Sequence, residues 1–229
     1  MKYMGGKAKI ASKLAEIIGS GDVLIEPFMG GGSMTAALAP SFNKVFAYDI
    51  HIDLVLMWQA LLAGWEPPSN VSREEYYKLK FDTNSALRGF AGFACAFGGD
   101  WFQGYAYNTI RANYALEAKN LLRKKLRTMK NVVVDLEDYR NLVIPPGAVV
   151  YADPPYGGTQ GFKTELNGGE FNSNEFWNIA SGWATNGATV FVSESNAPGD
   201  WDLIWEMERS RGLRGKNDTP VVERLYCKG

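Results

Sequence analysis

At 229 residues, 46% hydrophobic and 21% charged, the chain can bury one sizeable core and has the make-up of a globular domain with room for a modest insertion. Two cysteines, Cys95 and Cys227, and one histidine, His51, argue against a disulfide framework or a structural zinc site; no apolar run reaches membrane-span length and no signal-type apolar region follows the first residues, so a metal-free cytoplasmic protein is expected. A net charge of −1 does not advertise nucleic-acid binding, so any such surface must come from local clustering.

Residues 7–18 put Ile10, Leu14, Ile17 and Ile18 on one helical face, with Gly19 and Gly21 as the stop. Val23-Leu24-Ile25-Glu26 reads as a short strand closing on an acid. The glycine-rich turn from Pro27 to Ser33 then opens a small-residue helix at Met34, with Ser33 as its expected N-cap. A strand, glycine turn and helix in succession let a ligand approach the backbone. The spacing is neither the GxGxxG of dinucleotide enzymes nor the GxxxxGK[ST] of a P-loop, and Gly5-Gly6-Lys7 lacks the strand and the following Ser or Thr of a P-loop. A second strand, residues 44–48, ends at Asp49. An acid at that place commonly accepts hydrogen bonds from ribose hydroxyls; a turn or N-cap role is the structural alternative. A helix follows to about Ala63.

From Gly64 to about Thr109 the composition changes. Pro67-Pro68-Ser69-Asn70 breaks the pattern, and residues 73–81 suit a helix. Residues 89–105 alternate aromatics with glycine and alanine in neither clean helical nor clean strand period. They read as an inserted subdomain with close backbone packing, its aromatics more often core than stacking platforms. Tyr105, Tyr107 and Asn108 stand better placed to touch a partner.

Residues 111–130 predict a helix with Ala115, Ala118, Leu122, Leu126 and Met129 on one face, and carry seven basic side chains against the single acid Glu117. Residues 209–216 add Arg209, Arg211, Arg214 and Lys216 without an acid. Such clusters suit a phosphate backbone; a solvated helix face and a surface loop are the alternatives. Asn131–Val134 is a strand leading into Asp135-Leu136-Glu137-Asp138-Tyr139.

Residues 148–152 form an apolar strand followed by Asp153-Pro154-Pro155-Tyr156. In open α/β sheets ligands bind beyond the carboxyl ends of strands. Two prolines fix two φ angles and remove two donors, so the Asp153 and Pro154 carbonyls can point outward. With the Asp153 carboxylate and the Tyr156 ring they make a rigid set of acceptors beside a flat face, which suits a planar ligand carrying an exocyclic amino group. A proline-stiffened turn is the bland alternative. Residues 157–170 are a polar loop long enough to act as a cover. Asn172 or Ser173 caps a helix through Trp183, residues 188–193 read as a core strand, and strands at about 203–207 and 221–226 suggest a hairpin.

In order and wording these motifs resemble the DNA adenine-N6 methyltransferases of the DNA adenine methylase type (D12 class), many of them encoded by bacteria and phages. Tyr3-Met4-Gly5-Gly6-Lys7 is similar to the family's amino-terminal motif. Residues 26–33 are similar to its S-adenosylmethionine loop, Asp153–Tyr156 to its DPPY signature, and residues 221–226 to its terminal strand. The resemblance implies a Rossmann-like α/β fold, mostly parallel with a C-terminal antiparallel hairpin. Residues 1–63 and 111–229 would form the catalytic domain and residues 64–110 an inserted target-recognition subdomain. It further implies S-adenosylmethionine held by Tyr3, Lys7, Glu26, Pro27, Phe28, Gly30, Gly32, Asp49, Asp138, Tyr139 and Asp153, with Asp135 as the alternative to Asp138. The target base would be held by Asp153, Pro154, Pro155 and Tyr156. Double-stranded DNA would be touched by Tyr105, Asn108, Arg111, Arg123, Lys124, Arg211, Arg214 and Lys216, by a monomer or weak dimer needing no metal. The competing readings are cytosine N4 or an RNA base as acceptor, and a non-catalytic DNA-binding protein that keeps the pocket.

Overall fold

The computed structural model describes residues 1, 3–106, 113–155, 171–209 and 221–229, in two compact units, Met1–Tyr139 and Arg140–Gly229. Tyr107, Asn108, Arg111, Tyr156, the expected cover at 157–170, and Arg211, Arg214 and Lys216 lie outside the described residues.

In the first unit three strands pair in parallel in the order β3-β2-β1: β1 Gly21–Glu26, β2 Phe42–Asp49 and β3 Val132–Leu136. Leu24, Val45 and Ala47 are fully buried between the flanking helices, as parallel strands covered on both faces require. The register sets Glu26 beside Ala47 and Asp49 beside Leu136, so the carboxyl ends of β1 and β2 finish close together. The helices are α1 Ala11–Ile18, α2 Ser33–Leu38, α3 Ile52–Leu62, α4 Arg73–Leu79, α5 Ala86–Ala94 and α6 Tyr114–Leu126. Gly19 stops α1 with a φ of 80°, as expected. The N-cap of α2 is Gly32, with a φ of 62°, rather than Ser33, which is the first helical residue. A Cβ at position 32 would meet the Trp58 ring, so the side chain that caps most helices has no room there.

The described residues of the 64–110 stretch differ more from expectation. Residues 86–94 form a helix, capped by Ser85, whose Oγ accepts from Arg88 N at 3.1 Å. Its glycines are a packing surface. A Cβ at Gly89 would lie 2.1 Å from the Asp53 carbonyl oxygen, and one at Gly92 would lie 2.2 Å from the Trp101 ring. Glycine lowers helix propensity, which hides the helix in the sequence, but it lets α5 lie directly on α3. Asp53, fully buried in the first turn of α3, accepts from Ser85 N at 2.8 Å and from Arg88 Nη1. The same guanidinium donates to the carbonyls of Leu79 (3.0 Å) and Lys80 (3.1 Å) and lies over the Trp101 ring at 5.0 Å. Phe90, Phe93 and Phe102 are buried as expected of core aromatics, whereas Phe81 and Phe97 are exposed.

In the second unit β4 (Val149–Ala152) and β5 (Thr189–Ser193) are parallel, joined through α7 (Ser173–Thr185), whose N-cap is Asn172: its side chain accepts from Glu175 N at 3.1 Å. β7 (Val221–Lys228) runs antiparallel to β5 and to β6 (Asp202–Arg209). The expected α/β class, mostly parallel with a C-terminal antiparallel hairpin, is what the two units contain.

Candidate active site

The glycine turn after β1 is fastened almost atom by atom. Met29 N donates to Tyr48 O (2.8 Å), Gly30 N to Asp49 Oδ2 (2.9 Å) and Gly32 N to Met29 O (2.9 Å). Trp58 Nε1 donates to Gly30 O at 3.0 Å, and Lys125 Nζ donates to Gly31 O and, at 2.9 Å, to Ser33 Oγ. Below the turn, Glu26 is buried and accepts from Thr35 Oγ1 at 2.5 Å. The glycines are needed because two rings close on them. A Cβ at Gly30 would stand 2.9 Å from the Tyr3 ring, and one at Gly32 2.7 Å from Trp58. Three amides of the turn are thus spent internally, so it does not offer the array of free N–H groups that cradles a pyrophosphate.

Asp49 closes the turn from the end of β2. Besides Gly30 N, it accepts from His51 N at 3.0 Å through Oδ1, and with the Ile50 amide also on the carboxylate one of its four acceptor positions remains. Burial pushes its carboxyl up, against the pull of the His51, Gly30 and Ile50 amides. Phe28 packs on Tyr139 with centroids 5.3 Å apart, which brings residues 138 and 139 to the turn. Asp135, by contrast, is exposed on β3 and accepts its neighbour's amide, Leu136 N, at 2.8 Å. Tyr3 also stacks on Phe93 (5.2 Å), and Lys7 is buried.

His51 links this turn to α5. It caps α3 through Nδ1, which accepts from Leu54 N at 3.4 Å, and its ring lies against Phe93 (5.0 Å) and Trp101 (4.3 Å). Burial pushes its pKa down to about 4; its own backbone hydrogen bond opposes this and the Arg88 charge adds to it. The unfolded chain therefore takes up this proton first. The stability due to the neutral ring is complete above pH 6.5 and is lost as pH falls toward 4, an effect of up to about 3 kcal/mol. The melting temperature of His51→Asn is accordingly expected to fall less between pH 6.5 and pH 4.5 than that of the wild type; equal falls would show that this ring does not carry the acid sensitivity.

In the second unit, Asp153 and Pro155 are half-buried and Pro154 is buried, directly beyond the fully buried Val150, Tyr151 and Ala152 of β4. Ala152 pairs with Val192, so Asp153 emerges level with Ser193 at the end of β5. The next residue, Glu194, is a buried second carboxylate whose Oε1 accepts from Ser195 N (2.6 Å) and Oγ (2.8 Å). Arg224 Nη1 ties the same loop to β7 through Ser195 O.

The residues expected to touch DNA are scattered in role. Tyr105 donates its hydroxyl to Val71 O at 2.6 Å. Arg123 grips Glu66 at 2.6 Å, with Lys119 at 3.3 Å on the same carboxylate, while Lys124 is exposed. Sequence reasoning missed Thr35, Trp58, Lys125 and His51 as supports of the turn. Lys125 was hidden in a basic run, and only the place of His51, two residues after Asp49, gave any signal. Among the described residues no group of three or more His, Cys, Asp or Glu side chains could hold a metal, and no helix is long and apolar enough to cross a membrane.

Residues 3–93 match the family model of the D12 class N6 adenine-specific DNA methyltransferases. The chain is similar to the Retron Ec67 DNA adenine methylase of Escherichia coli, with 23% identity over 241 residues, covering 92% of this chain and 80% of that protein. Similar solved structures include the putative methyltransferase yhhF of Escherichia coli (15% identity, TM-score 0.40, 96% and 82% of the two chains). A putative methyltransferase of Streptococcus mutans in complex with SAH is another (11% identity, TM-score 0.40, 96% of each chain).

Proposed function

We propose that this chain, whose residues 3–93 match the D12 class of N6 adenine-specific DNA methyltransferases, moves a methyl group from S-adenosylmethionine to adenine N6 in DNA, and we assign the residues that do so. The observation that carries the assignment of the cofactor site is the self-satisfied glycine turn beside an acid that keeps an acceptor position open. Such a turn suits a nucleoside cofactor without phosphates and disfavours a dinucleotide.

On this reading Asp49 accepts the ribose hydroxyls, and the Phe28–Tyr139 pair with Asp138 holds the cofactor's adenine. Asp138 is favoured over Asp135 because Tyr139 lies at the turn and Asp135 does not. Tyr3, Lys7, Glu26, Pro27, Gly30 and Gly32 complete the walls. When bound, S-adenosylmethionine supplies a methyl group activated by a sulfonium. The chain's task is to make an exocyclic amine, a poor nucleophile because its lone pair is delocalised into the ring, able to accept that methyl. The Asp153 carboxylate and the Pro154 carbonyl accept the two N6 hydrogens, draw the nitrogen toward a pyramidal shape and stabilise the positive charge it acquires. Pro155 keeps these acceptors rigid by fixing φ. Asp153 need not be a strong base, because the methylated amine is acidic enough to lose its proton readily.

The base must leave the duplex first, at a cost of a few kcal/mol, and stacking on Tyr156 would return roughly 1–3 kcal/mol. Tyr156→Trp is therefore expected to keep more activity than Tyr156→Ala in a methylation assay; equal loss in both would count against stacking. Residues 64–110 are proposed as the target-recognition insertion. Double-stranded DNA in the cytoplasm is the proposed substrate. The deciding experiment is transfer of labelled methyl onto random-sequence duplexes, single strands and RNA, with the modified atom identified. N6-methyladenine in a defined duplex context supports the reading, while N4-methylcytosine, modified RNA or no transfer would replace it.

A further inference from the structure

Lys125 belongs to the most basic stretch of α6, Arg123-Lys124-Lys125, yet it is half-buried where its two neighbours are exposed. Its ammonium reaches back 92 residues to donate to Ser33 Oγ, and it donates to the Gly31 carbonyl as well. The place is unfavourable for a cation. It is largely removed from water, it stands at the amino end of α2, where the peptide dipoles repel positive charge, and a long side chain is held in one shape. Burial pushes its pKa down to about 8, with the Glu26 carboxylate pulling it back up.

What the ammonium holds explains why it is there. Other hydrogen bonds of the turn grip Met29, Gly30 and both polar groups of Gly32, whose carbonyl accepts from Ala36 N at 3.3 Å; the Gly31 carbonyl is held by Lys125. Gly31 stands between two glycines with φ of 50° and 62°, backbone that can rearrange at little steric cost unless pinned. Lys125 supplies that pin from a separate helix.

We propose that Lys125 is a positioning residue for S-adenosylmethionine, locking the outer edge of the glycine turn in its binding shape before the cofactor arrives. This rests on the reading of the turn as the cofactor site. It also removes Lys125 from any surface α6 offers to DNA. Without the pin, the cofactor has to order the turn as it binds, so affinity falls while the chemical step is untouched.

The test is Lys125→Met, which keeps an unbranched apolar stem and removes the charge, with Ser33→Ala as a milder second variant. Binding of S-adenosylhomocysteine is measured by calorimetry, and kcat and KM for S-adenosylmethionine and for duplex DNA by methyl transfer. Lys125→Met is expected to raise the dissociation constant and the cofactor KM about tenfold, the size of a lost hydrogen bond to a charged group, with kcat and the DNA KM within about twofold. Ser33→Ala, which removes one of two acceptors, should move the same two quantities in the same direction by about threefold. A lowered kcat at unchanged cofactor KM would make Lys125 merely structural and overturn the proposal, as would unchanged affinity in Ser33→Ala. If the wild type binds S-adenosylhomocysteine and Lys125→Met binds it equally well, this inference alone fails. If the wild type does not bind it, the cofactor site has been misassigned and the inference falls with it.

Discussion

Asp153→Ala is expected to slow methyl transfer by roughly a thousandfold or more while leaving cofactor affinity within about tenfold. The reasoning is electrostatic. A hydrogen-bonding group aimed at charge that develops only in the transition state acts on kcat, and removing a single such group from a preorganised site typically costs a hundredfold to a thousandfold. Asp153 contributes a full charge in addition to a hydrogen bond, and it sits between a buried strand and two prolines that fix the backbone carrying it. Asp153→Asn sharpens the test. The amide keeps one acceptor oxygen but loses the charge and adds a donor that opposes the N6 hydrogens, so its rate should fall between wild type and alanine. Single-turnover kinetics with calorimetry of S-adenosylhomocysteine separates the two quantities. Turnover retained in the alanine variant would end the assignment of this carboxylate.

Arg88→Met should cost stability on a similar scale of severity. Asp53 is fully buried, and the Arg88 guanidinium is its only ion-pair partner among the described residues. Removing one member of a buried pair leaves an uncompensated charge, typically a loss of 3–5 kcal/mol. For a chain of this size that corresponds to a fall in melting temperature of about 10 °C. The guanidinium also holds the carbonyls of Leu79 and Lys80, so the α4–α5 connection should loosen before the strands do. Adding Asp53→Asn to Arg88→Met should recover part of the loss, because a neutral amide can stay buried more cheaply than a lone carboxylate. A double variant no more stable than Arg88→Met would show that the pair's charge is not what matters, only its packing.

The sequence and the structure agree where local chemistry is decisive. The strands β1, β2 and β4 are short apolar runs ended by Glu26, Asp49 and Asp153, and a pattern of that kind survives any tertiary context. The turn after β1 was legible as a ligand-approach point because three successive glycines have few other uses. Its fastenings were not legible: Trp58, Thr35 and Lys125 reach it from 28, 9 and 94 residues away from their contacts, and nothing in local spacing announces such a reach. Helix α5 is hidden because its aromatics alternate with glycine and alanine in no clean helical period; Gly89 lets it touch α3, and Gly92 makes room for the Trp101 and Phe102 rings. The basic run of α6 was read as one surface, yet Arg123 and Lys119 hold Glu66 and Lys125 turns inward. A charge count along a helix does not say which way each stem bends.

The seating of α5 on α3 bears on any attempt to retarget the enzyme by exchanging residues 64–110, proposed above as its recognition insertion, with those of a relative. A graft cut at residues 64 and 110 would carry Ser85, Arg88 and Gly89 but leave Asp53 with the recipient. Chimeras should fail unless the acceptor scaffold offers a carboxylate at that place and a carbonyl close enough to demand glycine opposite it. Moving the exchange point upstream to include the first turn of α3 would transplant the lock together with its key.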